Sequence, residues 1–409
     1  MRRERTAAMP FIMLTALIDM IAIGLIIPVL PGLVGELTHS KTDQAFWFGV
    51  TTFAFSIANF VSAPMLGALS DAYGRRPVLL IGFSGLAISF LSTALVTSMP
   101  VLIVIRLIGG AMQANLTVAN AYVADITPPE QRARRFGALG AMFGIGFILG
   151  PVVGGLLGAI NLRLPFLVAG SLALLNLAYG FFVLPESLPV ERRHAFSWRS
   201  ANTFSALRRL SELKGVGRLA TVLALCALAQ FVMYTSWVLY TTFKFGWGPL
   251  QNGYSMAAVG VTSALVQGVL LSRLLARFSA WRLAVIGLAS STLAYTLFGL
   301  ATQGWMMFAV ILANMLGSTV APVFQSIISR SADEKSQGKT MGAVSGINSL
   351  MAVVAPLFGA PLMTAVSHLP RGDWRIGAAF YFCALLQACG LLLTFMHARA
   401  ARRKSSAHA

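Results

Sequence analysis

Twelve runs of predominantly apolar residues divide the chain, and each is about as long as the helix needed to cross a lipid bilayer. A hydrocarbon core about 30 Å thick takes roughly 20 apolar residues per helical span. Hydrophobic residues make up 57% of the 409 residues and charged residues only 11%, which leaves too little polar surface for a soluble protein. The sequence therefore predicts an all-α polytopic membrane protein with twelve transmembrane helices, numbered spans 1 to 12.

The spans form two sets of six, separated by a polar and arginine-rich stretch. The first six lie near residues 9–31, 46–69, 77–97, 101–125, 135–159 and 164–184. The second six lie near residues 217–241, 251–272, 281–301, 305–328, 340–364 and 376–397. We predict an N-terminal six-helix bundle over residues 1–190, a loop over 191–215, and a C-terminal six-helix bundle with a basic tail over 216–409. The first apolar run is too long for a cleavable signal peptide, so it is assigned to span 1.

Basic residues are distributed unequally between the two sides of the predicted membrane. Of the 31 lysines and arginines, 25 fall on the side that holds both termini and the central loop. The other side holds only Lys41, Arg163, Lys244, Arg371 and Arg375, while Arg106 lies inside a span. Because positively charged loops remain in the cytoplasm, we predict that both termini and the loop are cytoplasmic. The predicted location is the inner membrane of a bacterium.

The high positive charge does not indicate nucleic-acid binding. The net charge is +18 and the pI is near 10.9, but the basic residues occur in short bursts between spans rather than in one patch. The three cysteines lie within apolar runs and no residue cluster has metal-ligand spacing, so neither disulfides nor a metal site is predicted. No catalytic constellation and no Walker-type glycine-rich loop is present, so we expect no enzyme, no ATP and no other cofactor.

The two halves repeat one another with a constant offset of 205 residues. The matching pairs are Gly150-Pro151 with Ala355-Pro356, Gly154-Gly155 with Gly359-Ala360, and Gly137-Ala138 with Gly342-Ala343. Six-helix halves related by an axis along the membrane normal are one recognised transporter architecture, in which the substrate binds between the halves. The repeat therefore predicts two pseudo-symmetric six-helix bundles.

A specific motif connects spans 2 and 3. It runs from Gly67 to Pro77 as Gly-Ala-Leu-Ser-Asp-Ala-Tyr-Gly-Arg-Arg-Pro. Here the chain resembles the major facilitator superfamily, whose signature between these helices has this form. The resemblance implies a gating role for Gly67, Asp71, Gly74, Arg75, Arg76 and Asp125, with Arg75 and Asp125 as an ion pair. Asp71 is expected to bond the N–H groups of a helix start or to pair with an arginine. The alternative is that the arginines only mark topology.

Span 5 is rich in glycine. Its motif consists of Gly146, Gly150, Pro151, Gly154 and Gly155. Glycine permits close contact between helices, and Pro151 is expected to bend the helix. The run resembles a motif of the superfamily's antiporters, which implies export. The alternative is a packing face with no bearing on the direction of transport.

Span 1 and the start of the second half extend the resemblance. The segment Leu17–Pro31, with Trp237-Val-Leu-Tyr and Phe245-Gly-Trp, resembles the tetracycline-exporter group of the superfamily, and the likeness covers nearly the whole chain. Those exporters typically carry an aspartate, a histidine and an aspartate at three positions that hold Ser89, Ser263 and Ser291 in this chain. The resemblance therefore implies drug export without implying that tetracycline itself is the substrate.

Only Asp19 and Arg106 are charged deep inside a span. An ionisable side chain within the hydrocarbon costs several kcal/mol, so each is a functional hypothesis. Asp19 is the only intramembrane carboxylate and is predicted to carry the coupled proton. The alternative is a structural pairing of Asp19, with Arg106 as one candidate partner.

A polar stripe in span 4 is predicted to line a central cavity. It consists of Arg106, Gly110, Gln113, Thr117 and Asn120, at spacings that place them on one face of a helix. The superfamily's antiporters share a basic residue at this point. Candidate cavity residues in the second half are Gln230, Tyr234, Gln267, Asn314, Gln325 and Asn348. For each of these, hydrogen bonding between helices is the alternative. Aromatics such as Phe231, Trp237 and Phe324 are expected to serve ordinary packing, and the alternative is that they line an apolar pocket.

The predicted function is a proton-coupled antiporter that exports small amphiphilic compounds, such as tetracycline-like drugs, by alternating access. Its partners would be the small-molecule substrate, protons and the lipid bilayer, and we expect a monomer. Two alternatives stay open. One is a proton-coupled carrier of a metabolite or an organic anion that pairs with Arg106, and the other is a non-transporting membrane receptor or scaffold.

Overall fold

The structure is a computed structural model that describes residues 2–113, 115–196, 217–330 and 337–406, and no β-strand occurs in them. The helices of the first half are α1 Arg2–Ile26, α2 Leu30–Thr38, α3 Lys41–Tyr73, α4 Arg75–Leu95, α5 Met99–Met112, α6 Asn115–Ile126, α7 Arg132–Ile160 and α8 Leu164–Val183. The helices of the second half are α9 Gly217–Phe245, α10 Pro249–Leu265, α11 Leu271–Arg277, α12 Ala280–Leu300, α13 Gly304–Ala313, α14 Val320–Arg330, α15 Gln337–Val366 and α16 Ala378–Ser406. A π-turn at Val266–Leu270 joins α10 to α11.

Eleven spans within the described residues are long and apolar enough to cross a membrane. A twelfth is formed if the bent pair Gly304–Ala313 and Gly317–Ser329 is counted as one span. The predicted all-α fold is confirmed, and most bounds differ by only a few residues. The predicted run 135–159, for example, corresponds to Arg134–Ile160. The first span, Met9–Thr38, combines α1 and α2 and is longer than predicted.

Spans 4 and 10 are interrupted near their middles. Span 4 is divided between Met112 and Asn115, and the two parts of span 10 bend by 53° after Ala313. The 205-residue offset relates Gln113 to Ser318, so the two breaks lie at nearly equivalent positions of the repeat. Interrupted spans at corresponding positions of two halves are typical of the binding region of transporters. The apolar runs predicted unbroken helices, because hydropathy carries no signal for such a break.

Two compact units divide the chain. The first comprises residues 1–203 with the segment Trp247–Ala257, and the second comprises residues 204–246 and 258–409. The core of the first unit includes Ile12, Leu79, Phe83, Tyr122 and Val123. The core of the second includes Leu283, Leu288, Val323, Phe324 and Ile347. Exposed apolar side chains such as Leu95, Phe182 and Leu392 suit contact with lipid rather than water.

Glycines bring α1 and α7 into backbone contact. A Cβ atom added to Gly150 would lie 2.6 Å from the Cα atom of Gly24, which is too close for any real Cβ atom. One added to Gly154 would lie 2.7 Å from the carbonyl carbon of Leu25. Small residues at such crossings are typical of membrane helices, where close packing drives helix association. The glycines predicted in span 5 therefore hold this helix against span 1.

The remaining residues of the span 5 motif have different surroundings. A Cβ atom added to Gly146 would lie 3.1 Å from the amide nitrogen of Ile21, on the same side as Gly150. Gly155 contacts instead the segment Trp247–Ala257 of its own unit, where an added Cβ atom would lie 3.2 Å from the Cα atom of Gly253. Pro151 lies inside α7, which continues across it.

The contact between α1 and α7 predicts unequal effects of two identical substitutions in α7. Gly150→Ala should lower the midpoint of thermal unfolding, because overpacking costs about 1–3 kcal/mol. Gly140→Ala is the control, since an atom added to Gly140 would meet nothing within 4 Å and alanine favours the helix. Both unfolding midpoints are measured by heating each variant in detergent and then determining the remaining folded protein by size-exclusion chromatography. Equal midpoints for the two variants would contradict the close contact.

Candidate functional site

Arg75 connects three helices at one end of the first unit. Its Nε atom donates to Oδ2 of Asp125 in α6 at 3.0 Å, and its Nη1 atom lies 2.5 Å from Oδ1 of Asp71 in α3. Nη1 also donates to Oγ of Ser70 at 2.6 Å. Arg75 itself is the first residue of α4 and is buried. Charge-assisted hydrogen bonds of this length are strong, so Asp71, Arg75 and Asp125, called the Arg75 cluster, fix the ends of α3, α4 and α6 relative to one another.

The two glycines of the same motif have separate roles. Gly74 ends α3 and begins α4 with φ at +107°, a backbone conformation that other residues rarely adopt. Gly67 faces α6, where an added Cβ atom would lie 3.9 Å from Cγ2 of Thr117. Arg76 points away from the Arg75 cluster and donates to the carbonyl of Phe181 at the end of α8.

Glu186 and Ser187 contact the Arg75 cluster and are absent from the sequence-based prediction. The Glu186 carboxylate accepts from the backbone nitrogens of Arg75 and Arg76 at 2.9 and 3.2 Å. Ser187 Oγ donates to Oδ2 of Asp125 at 3.2 Å. A carboxylate directly after span 6, on the same predicted side as the motif, is the signal that could have indicated this contact.

Asp19 is buried in the interior of the first unit. Only 4% of its surface is exposed, and it lines a small pocket with Thr15 of α1, Phe83 of α4, Ala119 of α6 and Phe143 of α7. The carboxylate therefore lies among side chains of four helices rather than on the lipid-facing surface. Such a position is compatible with the predicted role in proton binding.

Arg106 is buried in α5 and packs against an aromatic ring. Its guanidinium carbon lies 4.1 Å from the ring centroid of Phe55 in α3, within the range of a cation–π interaction. Its Nε atom is buried and has no hydrogen-bond partner among the described residues. No ion pair joins Arg106 to Asp19 within the described part of the chain.

The predicted single helical face of span 4 stays a prediction. α5 ends at Met112 and the backbone of Gln113 is not helical, so Thr117 and Asn120 belong to a second helix, α6. A side chain of α3 bonds to this break. Asn59 Nδ2 donates to the carbonyls of Gly110, at 3.5 Å, and of Gln113. This side chain supplies a hydrogen-bond donor to carbonyls at the break, and so stabilises it.

Close backbone contact accompanies the break in span 4. A Cβ atom added to Gly110 would lie 3.1 Å from the Cα atom of Phe55, and one added to Gly109 would lie 2.9 Å from the Cβ atom of Ser89. Ser62 Oγ lies 3.5 Å from the carbonyl oxygen of Gly110 and donates to it. The polar residues Asn59, Ser62 and Ser89 thus surround the middle of span 4, next to Arg106.

The candidate cavity residues of the second half are distributed over five elements of that unit. Gln230 Nε2 donates to the hydroxyl of Tyr234 at 2.8 Å within α9, and both side chains are exposed. Asn314 lies at the break of span 10, where its Oδ1 accepts from Ser290 Oγ at 3.1 Å. Gln267 is exposed in the π-turn, while Gln325 of α14 and Asn348 of α15 are half-buried. π-turns in helices occur frequently at functional sites.

The aromatic residues of the second half include two that belong to the core. Trp237 packs against Phe298 and Phe380, with ring centroids 5.2 and 5.9 Å apart, and Phe324 is fully buried. Phe231 is half-buried and packs edge-on against Tyr234. Ser89 and Ser291 are buried, and Ser263 is half-buried.

The described residues contain no group of three His, Cys, Asp or Glu side chains that could hold a metal ion. Cys226, Cys383 and Cys389 are free thiols, and the first two are buried.

Sequence comparisons identify related proteins over nearly the whole chain. A sequence model of the Major Facilitator Superfamily matches residues 12–356 and, in a second match, residues 244–409. The tetracycline resistance protein, class C, of Escherichia coli is 37% identical over 375 residues, which cover 91% of this chain and 93% of that protein. The class G protein of Vibrio anguillarum is 34% identical over 374 residues, which cover 90% and 93%.

Solved structures share the fold. The human organic anion transporter MFSD10 has 25% identity and a TM-score of 0.69, with 95% of this chain and 99% of that chain covered. The nucleoside transporter NupG has 15% identity and a TM-score of 0.74, with 95% and 98% covered, and shows the fold alone.

The helical fold and these relatives define a polytopic membrane protein of the transporter class, rather than an enzyme. The chain belongs to the Major Facilitator Superfamily. The resemblance predicted from the motif between spans 2 and 3 is confirmed, as is the likeness to tetracycline resistance proteins.

The break in span 4 predicts that Asn59 matters for stability. Asn59→Leu should lower the thermal unfolding midpoint in detergent, because the carbonyl of Gln113 loses its side-chain donor at a cost of about 1–3 kcal/mol. Thr52→Val is the control in the same helix, since among the described residues the Thr52 hydroxyl bonds only to the Phe48 carbonyl one turn earlier. A midpoint for Asn59→Leu equal to that of Thr52→Val would show that Asn59 does not support the break.

Proposed function

We propose that the chain is a proton-coupled antiporter that exports small amphiphilic compounds, tetracycline-like drugs among them, across a bacterial inner membrane. The observation that carries the proposal is Asp19, a carboxylate buried among four helices of the first unit. An intramembrane carboxylate is expensive to keep and is retained where a proton or substrate must be bound. The likeness to tetracycline resistance proteins supports drug export.

In the proposed cycle, a proton from outside neutralises Asp19 and favours one orientation of the binding cavity, and substrate binding from inside favours the other. One elementary charge crossing 100 mV is worth about 2.3 kcal/mol, which is enough to drive substantial accumulation. Arg106, Gln113, Thr117 and Asn120, with Gln230, Tyr234, Gln267, Gln325 and Asn348, are the proposed cavity residues. The Arg75 cluster, with Gly67, Gly74 and Arg76, is the proposed gate.

The proposed orientation places both termini, the central loop and the Arg75 cluster on the cytoplasmic side. The support is the distribution of basic residues, since 25 of 31 fall on that side. Two six-helix halves, residues 1–190 and 216–409, would move relative to one another around the substrate, in a protein that acts as a monomer. The glycines of span 5 and Pro151 would favour the export direction.

A second candidate is transport of an organic anion. The specific observation is the buried Nε atom of Arg106, which has no hydrogen-bond partner among the described residues. Arginine recognises carboxylates through paired N–H donors, so an acidic group of the substrate could be the acceptor. The likeness to the human organic anion transporter MFSD10 supports this candidate.

Proton coupling is tested by measuring lumenal pH in everted membrane vesicles whose lumen is acidified by respiration. Addition of a transported compound should raise the lumenal pH in wild type, because protons leave in exchange. Asp19→Asn should reduce this response to background, because the amide cannot release a proton. The panel includes tetracyclines, lipophilic cations, neutral chloramphenicol-type compounds and organic anions.

Asp43→Asn is the matched control, because Asp43 is exposed at the start of α3 and loses the same charge. It should retain the wild-type response. Full proton-driven efflux by Asp19→Asn would refute the role of Asp19. If no compound of the panel changes the lumenal pH in vesicles that contain normally expressed wild-type protein, proton antiport of these compounds is refuted.

The two candidates predict different results for Arg106→Lys. If the substrate is an anion held by paired N–H donors, the lysine variant should raise KM at least about tenfold for acidic compounds, since a bidentate contact is lost. KM for neutral compounds should change little. Uptake of radiolabelled compounds into everted vesicles gives both values. Unchanged KM for acids would exclude bidentate recognition by Arg106.

A further inference from the structure

The segment Pro185–His194, called the 185–194 segment, follows α8 and lies along the Arg75 cluster. The hydroxyl of Tyr122, which is fully buried in α6, donates to the carbonyl of Pro185 at 2.8 Å. The backbone nitrogen of His194 donates to the carbonyl of Asp71 at 3.1 Å. The segment is therefore attached at its beginning to α6 and at its end to α3.

Glu186 caps a helix that has no cap of its own. α4 begins after Gly74, which has no side chain to accept from the first backbone N–H groups. Glu186 accepts from the nitrogens of Arg75 and Arg76, and also from that of Leu188 at 3.0 Å. A carboxylate at a helix N-terminus satisfies free N–H groups and interacts favourably with the helix dipole.

The surroundings of the Glu186 carboxylate leave little free space. Arg193 Nη2 lies 4.0 Å from Oε2 of Glu186, within the same segment. A Cβ atom added to Gly74 would lie 2.8 Å from Cδ of Glu186 and 2.9 Å from Nη2 of Arg193. Glycine at position 74 therefore provides both the unusual backbone angle and the room for this ion pair.

Different parts of the chain therefore bind the backbone and the side chain of Arg75. Its backbone nitrogen bonds to Glu186, and its guanidinium bonds to Asp71 and Asp125. Asp125 in turn accepts from Ser187, the residue next to Glu186. The 185–194 segment thus contacts the Arg75 cluster at two points, the start of α4 and the carboxylate of Asp125.

We propose that Glu186 is a positioning residue of the gate, because its carboxylate fixes the start of α4 and thereby directs Arg75 toward Asp71 and Asp125. The proposal rests on the gating role given to the Arg75 cluster under the proposed function. It makes the chain that leaves span 6, and leads toward the second half, a component of the gate. A rearrangement of the gate then requires movement of the 185–194 segment.

The proposal is tested with Glu186→Gln in the full-length protein reconstituted in lipid nanodiscs and in vesicles. Glutamine keeps the size of the side chain but loses the charge that binds the two N–H groups at the start of α4 and that of Leu188. Glu191→Gln is the matched control, because Glu191 is exposed in the same segment and removes the same charge. Glu186→Asp is a second variant that keeps the charge but shortens the side chain by one methylene group.

Hydrogen–deuterium exchange measures the cap without relying on transport. In Glu186→Gln, peptides covering residues 75–80 and 185–190 should exchange at least about fivefold faster than in wild type. Glu191→Gln should exchange as wild type does. Unchanged exchange in Glu186→Gln would overturn the proposal, whatever the protein transports.

Transport kinetics separate a gating role from a purely structural one. Because Glu186 lies outside the proposed cavity, Glu186→Gln should lower Vmax about tenfold and leave KM within about twofold. Glu186→Asp should retain more of the Vmax than Glu186→Gln does. Faster exchange with an unchanged Vmax would reduce Glu186 to a passive cap and overturn the positioning role. Absence of transport by wild type would instead overturn the proposed function, while exchange would still decide whether Glu186 holds α4.

Discussion

Hydrocarbon cannot form hydrogen bonds, and the structure of this chain depends on that constraint. An unbroken helix satisfies its own backbone, but spans 4 and 10 are broken. In span 4, Asn59 of α3 donates to the carbonyls of Gly110 and Gln113 at the end of α5. In span 10, a 3₁₀ turn follows Asn314, in which each backbone N–H donates to the carbonyl three residues earlier. Ser290 donates to the Asn314 side chain. Polar side chains in the middle of neighbouring spans are therefore the condition that allows the breaks.

The same constraint separates structural charges from candidate functional ones. Arg75 at a helix end has two carboxylate partners, and Lys244 at the end of α9 donates to the carbonyl of Gly299 at 2.7 Å. Arg106 lies in the middle of a span, and its buried Nε atom has no acceptor among the described residues. A buried N–H group without an acceptor costs about 1–3 kcal/mol. Under the proposed function, the substrate or another state of the protein supplies this acceptor.

Hydropathy and one local motif were sufficient to predict the fold. The twelve apolar runs gave spans whose bounds agree with the structure to within a few residues in most cases, and the run from Gly67 to Pro77 identified the family. The break in span 4 could not be predicted, because a window average does not register a change of backbone direction. Glu186 could not be predicted from the motif either, since it is 111 residues from Arg75 in sequence. Contacts of that kind are defined by the tertiary fold.

The uneven placement of ionisable groups has a consequence for energetics. Asp19 and Arg106 both lie in the first unit. In the second unit, Ser263 and Ser291 occupy two positions at which the tetracycline exporters typically carry ionisable residues. If Asp19 is the one group that carries the coupled proton, as proposed, one proton enters per cycle, and the charge of the substrate decides how much the membrane potential contributes. Export of a cation against one proton moves no net charge, so only the pH gradient drives it. Export of a neutral compound moves one charge, worth about 2.3 kcal/mol per 100 mV, and export of a monoanion moves two. An exporter with a single carboxylate therefore gains most from the membrane potential when its substrate is neutral or acidic.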